Sequence, residues 1–275
     1  MTQSNYLTID VEDYFQVSAF EGIVSKGDWD SFDSRVVRNT RKILSLLDYH
    51  NVRATFFVLG WTAQKQPDLV KEISGRGHEI ACHSYYHRLV YNLSPEEFHA
   101  DTQQAKDILE QITGNKVDGY RAPSYSITKR SLWALDILAE LGFRYDSSIF
   151  PIYHDRYGIP DAPRFSYRLP GQNMTEYPIS TALFFGKKIP IAGGGYFRLF
   201  PYWFTRMALQ RINKKEGKPF VFYVHPWEID PEQPRMKEAK ALSRFRHYVN
   251  LNKTYGRLRQ LLHDFSFGPL GSGPV

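Results

Sequence analysis

The chain has a single cysteine, Cys82, in 275 residues. No intramolecular disulfide can form, which excludes the small disulfide-stapled folds and fits a reducing compartment. Long hydrophobic runs are also missing: TFFVLGW and PFVFYV fall far short of the ~20 apolar residues that a membrane-crossing helix needs. The opening MTQSNYLTIDVEDYF lacks the charged start, apolar stretch and cleavage site of a secretory signal. A soluble, cytoplasmic protein is therefore expected, resting at most on a membrane surface. No glycine- and serine-rich linker divides the chain and no internal repeat is visible, so one domain is expected. The net charge of +6 is dispersed, with short clusters such as RINKKEGK and RFRH. No nucleic-acid-binding motif accompanies it, and no nucleic-acid partner is expected. A solvated surface, an anionic membrane face or an acidic glycan all suit such a distribution.

The chain is 42% hydrophobic and 23% charged, as in an ordinary globular protein, but its aromatic share of 15% is high. Aromatic rings fill cores, and they also line carbohydrate clefts, where sugar C–H faces stack on them. Short β-rich runs alternate with helical patterns. YLTIDV (6–11), RATFFVLG (53–60), HEIACHS, VDGYRAP, FRYDSSI and PFVFYVHPWEI read as strands. Amphipathic stretches at 34–50, QPDLVKEISGRG, SPEEFHADTQQAKDILEQITG, TKRSLWALDILAELG, YWFTRMALQRINKKEG and KTYGRLRQLLHDF read as helices, several with a proline at the start and a glycine at the end. The rhythm loosens between 150 and 200, where AGGGYFRLFP sits. The final GPLGSGPV reads as a flexible end, giving a domain over 1–267 and a tail over 268–275. Strand–helix alternation of this kind specifies an α/β fold with a mainly parallel sheet, as a barrel or an open sheet. In either form the functional groups gather at the carboxyl ends of the strands.

Polar residues do collect there. The first strand runs into Asp10, Glu12 and Asp13; the third into His83 and His87; the fourth into Arg121–Ala122–Pro123; the fifth into Asp146; and the late apolar strand into His225. On one helical turn His83 and His87, four apart, would share a face and could bind one ion through neutral imidazole nitrogens, and SYYHRL permits such a turn. Strand alternation puts Asp10 and Glu12 on one face and Asp13 on the other, although beyond the strand Asp13 is free to turn inward. Carboxylates at the end of a buried strand are costly unless paired or metal-bound.

These residues, in this order, resemble the five motifs of the polysaccharide deacetylases with the NodB-homology domain, carbohydrate esterase family 4. TIDVEDYF stands where that family has a Thr-Phe-Asp-Asp-Gly block. HSYYH fits its His-Ser/Thr-x-x-His block, RAPSY its Arg-x-Pro block, YDSSIFP its Asp-Ser motif and YVH its terminal Leu-x-His. GGGYFRLFP and FRHYVNLNKTYGRLRQLL resemble the branch found in exopolysaccharide and exosortase-associated loci. The resemblance implies a distorted (β/α)7 TIM-like barrel and metal-dependent removal of N-acetyl groups from hexosamine units, with Zn²⁺ the expected divalent ion. It implies His83 and His87 as metal ligands and Asp10 as the base. Val11 occupies the place of the usual carboxylate ligand, which leaves Glu12 or Asp13. It further implies that the Ser124 N–H stabilises the oxyanion, His225 acts as the acid, Arg121 orients Asp10 and Asp146 holds His225. The implied partners are an N-acetylated glycan and membrane-associated polysaccharide machinery. Two other readings fit the scaffold. Metal-independent cyclic-amide and ureide hydrolases lack the intact histidine pair, and an inactive glycan-binding subunit would account for the altered first motif.

Overall fold

The computed structural model describes residues 4–154 and 156–273. Its centre is strand β1 (Ser4–Val11), buried from Asn5 onward. Around it stand β2 (Thr55–Val58), β3 (Glu79–Cys82), β4 (Gly119–Tyr120), β5 (Tyr145–Asp146), β6 (Tyr167–Arg168), β7 (Thr175–Glu176), β10 (Val221–Val224) and β11 (Ser266–Gly268). The order across the sheet is β10-β1-β2-β3-β4-β5-β7-β6, parallel except for the β6–β7 pair. A separate hairpin joins β8 (Thr181–Phe184) to β9 (Lys187–Pro190). Strands covered on both faces carry near-continuous apolar runs, which is why TFFV and VFYV are buried at every position.

Helices α1 (Val36–Tyr49), α2 (Gly60–Lys65), α3 (Pro67–Gly75), α4 (Pro95–Thr113), α5 (Trp133–Glu140), α6 (Gly194–Leu199), α7 (Tyr202–Lys215), α8 (Ala241–Tyr248) and α9 (Leu251–Asp264) complete the α/β architecture. The ends of α4 show how the sequence sets them. Ser94 Oγ accepts from the Glu97 N–H while Glu97 Oε2 accepts from the Ser94 N–H, a reciprocal cap, and Gly114 closes the helix at φ +69°.

Among the described residues no strand ladder links β7 to β10. The irregular segment between them spans the gap instead: Ser147 Oγ donates to the Tyr177 carbonyl at 2.8 Å, the Val221 N–H to Ser180 Oγ at 2.8 Å and the Tyr223 N–H to the Ala192 carbonyl at 3.1 Å. The glycines of AGGGY serve this approach. Gly193 adopts φ +129°, and a Cβ there would collide with the Tyr223 carbonyl oxygen. The result is a distorted (β/α) barrel with its apolar core on both sides of the sheet. A second apolar cluster, including Tyr14, Phe15, Phe20, Trp29, Trp227 and Leu251, packs beyond the end of β1.

The end of the chain departs from expectation. Residues 268–272, expected to form part of a flexible tail, are docked. β11 pairs with Ser4–Tyr6 of β1, the Leu270 N–H donates to Thr55 Oγ1 at 2.8 Å, and the Leu270 side chain is fully buried. Helices α2 and α8 and strand β11 likewise lack a counterpart in the sequence pattern. Among the described residues no helix is long and apolar enough to cross a membrane.

Because Leu270 closes the amino-terminal side of the sheet, Leu270→Ala should cost about 2–5 kcal/mol in urea unfolding, the usual loss for a buried leucine. A cost under about 0.5 kcal/mol, typical of exposed positions, would show that this end does not pack.

Candidate active site

At the end of β1 the chain turns sharply, the Glu12 N–H donating to the Asp10 carbonyl at 3.0 Å. Asp10 and Glu12 both enter one cavity with His83, His87, Ser124 and His225. Its volume is about 450 Å³. Donor atoms of Glu12, His83 and His87 all lie within 4.8 Å of one another, and all three residues are buried.

Arg121, fully buried after β4, organises this floor. Its Nη1 donates to Asp10 Oδ1 and to Thr8 Oγ1, both at 2.7 Å, while Nε and Nη2 bind the Ser147 carbonyl and hydroxyl. The guanidinium lies over the Phe57 ring at 4.1 Å. The Arg121 carbonyl lies 2.7 Å from His83 Nδ1. A carbonyl can only accept, so Nδ1 carries the hydrogen, and a neutral ring then turns the lone pair of Nε2 to the cavity. Burial depresses the His83 pKa to about 4 against the pull of Asp10 and Glu12, so the neutral ring is the form present at pH 7.

His87 reaches the same point by a route that differs from expectation. Residues 83–89 form no helical turn; Ser84 and His87 adopt left-handed conformations at φ +63° and +54°, and the loop folds the second histidine back. His87 Nε2 lies 2.7 Å from Glu12 Oε2, yet their geometry is not that of a hydrogen bond, and Glu12 Oε2 is left buried without a donor. Burial acts to raise the Glu12 pKa, but His87, His225 and His83 outweigh it and hold the carboxyl well below the usual range. Glu12 Oε1 accepts from Trp227 Nε1 at 3.1 Å.

His225, after β10, places Nε2 3.8 Å from Asp10 Oδ2 and 3.5 Å from Glu12 Oε1. Its Nδ1 sits 3.1 Å from Glu228 Oε2, which also accepts from the His225 backbone N–H. Burial would lower the His225 pKa; Glu228, followed by Glu12 and Asp10, overrides it and raises the value to about 9. Glu228 is itself held at about 2, burial being opposed by Arg198, whose Nε donates to Glu228 Oε1 at 2.7 Å, and by His225. The rings of His225, Trp227 and His247 stack in sequence at 5.1 and 4.2 Å. Trp227 is therefore a buried spacer that donates to Glu12.

The Ser124 backbone is left-handed at φ +51°, and its hydroxyl meets Ser18 Oγ at 2.7 Å. Buried acids, neutral and charged imidazoles and a paired guanidinium converge in one cavity, where Glu12, His83 and His87 could hold a metal ion.

Residues 29–145 match the family model described as polysaccharide deacetylase, and residues 147–272 match a domain of unknown function, DUF3473. The chain carries a polysaccharide deacetylase domain over residues 29–145. A peptidoglycan-N-acetylglucosamine deacetylase of Bacillus cereus is 37% identical over 98 residues, 35% of this chain and 36% of that protein. A chitooligosaccharide deacetylase of Bradyrhizobium is 30% identical over 100 residues, 36% of this chain and 43% of that one. The chain thus matches well under half the length of these curated relatives. In fold, a crystal structure assigned as a polysaccharide deacetylase from Mycobacterium smegmatis superposes with TM-score 0.61 at 19% identity, covering 98% of this chain and 90% of that one. A CE4 family pseudoenzyme from Bacillus anthracis superposes with TM-score 0.51 at 16% identity, covering 98% and 64%.

Two expected site residues stand elsewhere. Asp13 is not with the histidines. Its Oδ2 caps α1 from a distance, accepting from Ser34 Oγ and from the Arg35 and Val36 N–H groups at 2.7, 2.8 and 3.2 Å, and its Oδ1 accepts from Tyr14 N–H. Asp146 does not hold His225. It accepts from Ser148 Oγ at 2.5 Å and stands beside Glu176, its register partner on the neighbouring strand β7. Glu228 occupies the position toward His225 that was expected of Asp146. Its signal was the His-Pro-Trp-Glu spacing, which puts a carboxylate three residues after the histidine.

Burial and the adjacent Asp146 raise the Glu176 pKa well above its ordinary value of 4.5. The folded state therefore keeps a proton that the unfolded chain has shed, and stability must fall as pH rises above about 4.5. Glu176→Gln keeps the acceptor for the Ile149 N–H and removes that penalty. Its melting temperature should exceed that of the wild type more at pH 8 than at pH 5. An equal difference at both values would show that Glu176 titrates normally.

Proposed function

We propose that this chain is a metal-dependent hydrolase that removes N-acetyl groups from hexosamine units of a bacterial exopolysaccharide or its precursor, with both matched segments acting as one catalytic unit. The observation that carries the reading is the convergence of Glu12, His83 and His87, with Glu12 Oε2 buried and lacking a donor. One carboxylate and two imidazoles suit Zn²⁺ and leave a position open. When bound there, the ion would supply Lewis-acid polarisation of the acetyl carbonyl and a more acidic water.

The remaining work falls to the chain's own groups. Arg121 occupies Asp10 Oδ1, which leaves Oδ2 on the His225 side of the cavity to accept a proton from the attacking water. A carboxylate can only accept, so Glu228 fixes the hydrogen of His225 on Nδ1 and aims Nε2 past Asp10. Nε2 then delivers a proton to the departing amine. The left-handed turn at Ser124 brings its backbone to the cavity wall, where the N–H would support the developing oxyanion. Acetate and a free amino sugar leave.

Protein purified without chelator should carry about one ion per chain, the count expected of a single three-ligand site. His83→Ala should lose it. Asp10→Asn should keep the ion while acetate release falls by about 10²- to 10⁴-fold, the usual contribution of a general base. No ion even after added Zn²⁺ would defeat the metal-dependent mechanism. Joint loss of ion and activity in Asp10→Asn would make Asp10 a ligand.

A further inference from the structure

We propose that the cleft recognises a hexosamine with an anionic group beside it, and that Arg156 and Arg246 bind that group. The inference rests on the deacetylase reading and names its substrate class. Charge on the cavity floor is already balanced: Asp10 is paired with Arg121, Glu228 with Arg198 and His225, and Glu12 lies among three histidines. The mouth is not balanced. Arg156 and Arg246 both line the cavity, both are exposed, and neither side chain forms an ion pair or hydrogen bond with another described residue. Among the described residues no carboxylate lines the cavity apart from the three on its floor.

Two exposed guanidinium groups without an ion pair among the described residues raise the local concentration of anions at the cleft. The planar fork of arginine matches a carboxylate or a phosphate with two parallel hydrogen bonds. Beside them Leu199 and Phe245 stand 47% and 58% exposed on the same cavity, an apolar shelf for a sugar ring. All four residues come from the 147–272 segment and none from the segment that matches the deacetylase model. The first segment carries His83, His87, Arg121 and Ser124; Asp10 and Glu12 precede both segments; and the second supplies the charge selectivity. The anionic group is either a uronate in the glycan or a phosphate that joins the sugar to a carrier; both present the same oxygen edge to arginine.

The test compares chitotetraose, a hyaluronan tetrasaccharide and UDP-N-acetylglucosamine as substrates for the full-length chain and for the Arg156→Gln/Arg246→Gln variant. At least one anionic substrate should show KM about tenfold or more below that of chitotetraose, as expected of charge-assisted hydrogen bonds. The variant should remove that advantage, leaving kcat and the chitotetraose KM unchanged, and added salt should mimic it. Preference for hyaluronan assigns the uronate, and preference for the nucleotide sugar assigns the phosphate. Chitotetraose preferred by the wild type, or an anionic preference that survives in the variant, overturns the proposal. Calorimetric titration of the same three ligands separates these outcomes without turnover, so absence of acetate release would count against the deacetylase reading alone.

Discussion

The site depends on one buried cation. Arg121 has no exposed surface, and every hydrogen bond its side chain donates goes to a strand or strand end: Thr8 and Asp10 on β1, Ser147 after β5. Its own carbonyl fixes the tautomer of His83 after β3. Four strand ends are thereby registered by one residue. Removing one partner of such a pair commonly costs about 3–5 kcal/mol, because the other charge is left buried and alone. The same pair that holds the barrel's centre sets the free oxygen of Asp10, so packing and chemistry cannot be altered separately here.

A second buried chain of charge mirrors it. Arg198 on α6 binds Glu228, Glu228 binds His225, and Arg198 also donates to the His247 carbonyl at 2.6 Å. The Asp10 side of the cavity is therefore built by the first half of the chain and the His225 side by the second. The family model for the first half ends at residue 145, before any of these His225-side residues. Much of the cavity's charged lining consequently comes from the segment whose family carries no functional description.

The strands and their polar ends were legible in the sequence because parallel strands buried on both faces leave apolar runs, and the residues that follow each run lie on one rim. The grouping of Asp10, Glu12, His83, His87, Arg121 and His225 follows from that rule. What was not legible depended on distant partners or unusual backbone. Asp13 and Glu12 differ by one position, and only the α1 N–H groups, more than twenty residues away, pull Asp13 out of the site. The helical turn expected for HSYYH fails because Ser84 and His87 take left-handed conformations that non-glycine residues seldom adopt. The resemblance implies that Asp146 holds His225, whereas its neighbour in the sheet is Glu176, on a two-residue strand with no periodicity to reveal it. The docked end was hidden by its own glycines and prolines, which read as disorder until Leu270 is seen in its pocket.

The arrangement of β1 also bears on how the protein is made. Its neighbours Val221 and Ser266 pair with Tyr6 and Ser4, more than two hundred residues later in the chain. At about 5–20 residues per second, roughly 10–40 s of synthesis separate the central strand from its β10 partner. During that interval β1 can pair only with β2, and its other edge, a run of unpaired backbone groups beside apolar side chains, is open to association with other chains. Such long-range pairing also slows folding, since the loop must close before any contact repays it. Strands β10 and β11 thus act as a late lock: yield and solubility in the cell depend on how long a nascent β1 can wait for residues 221–268.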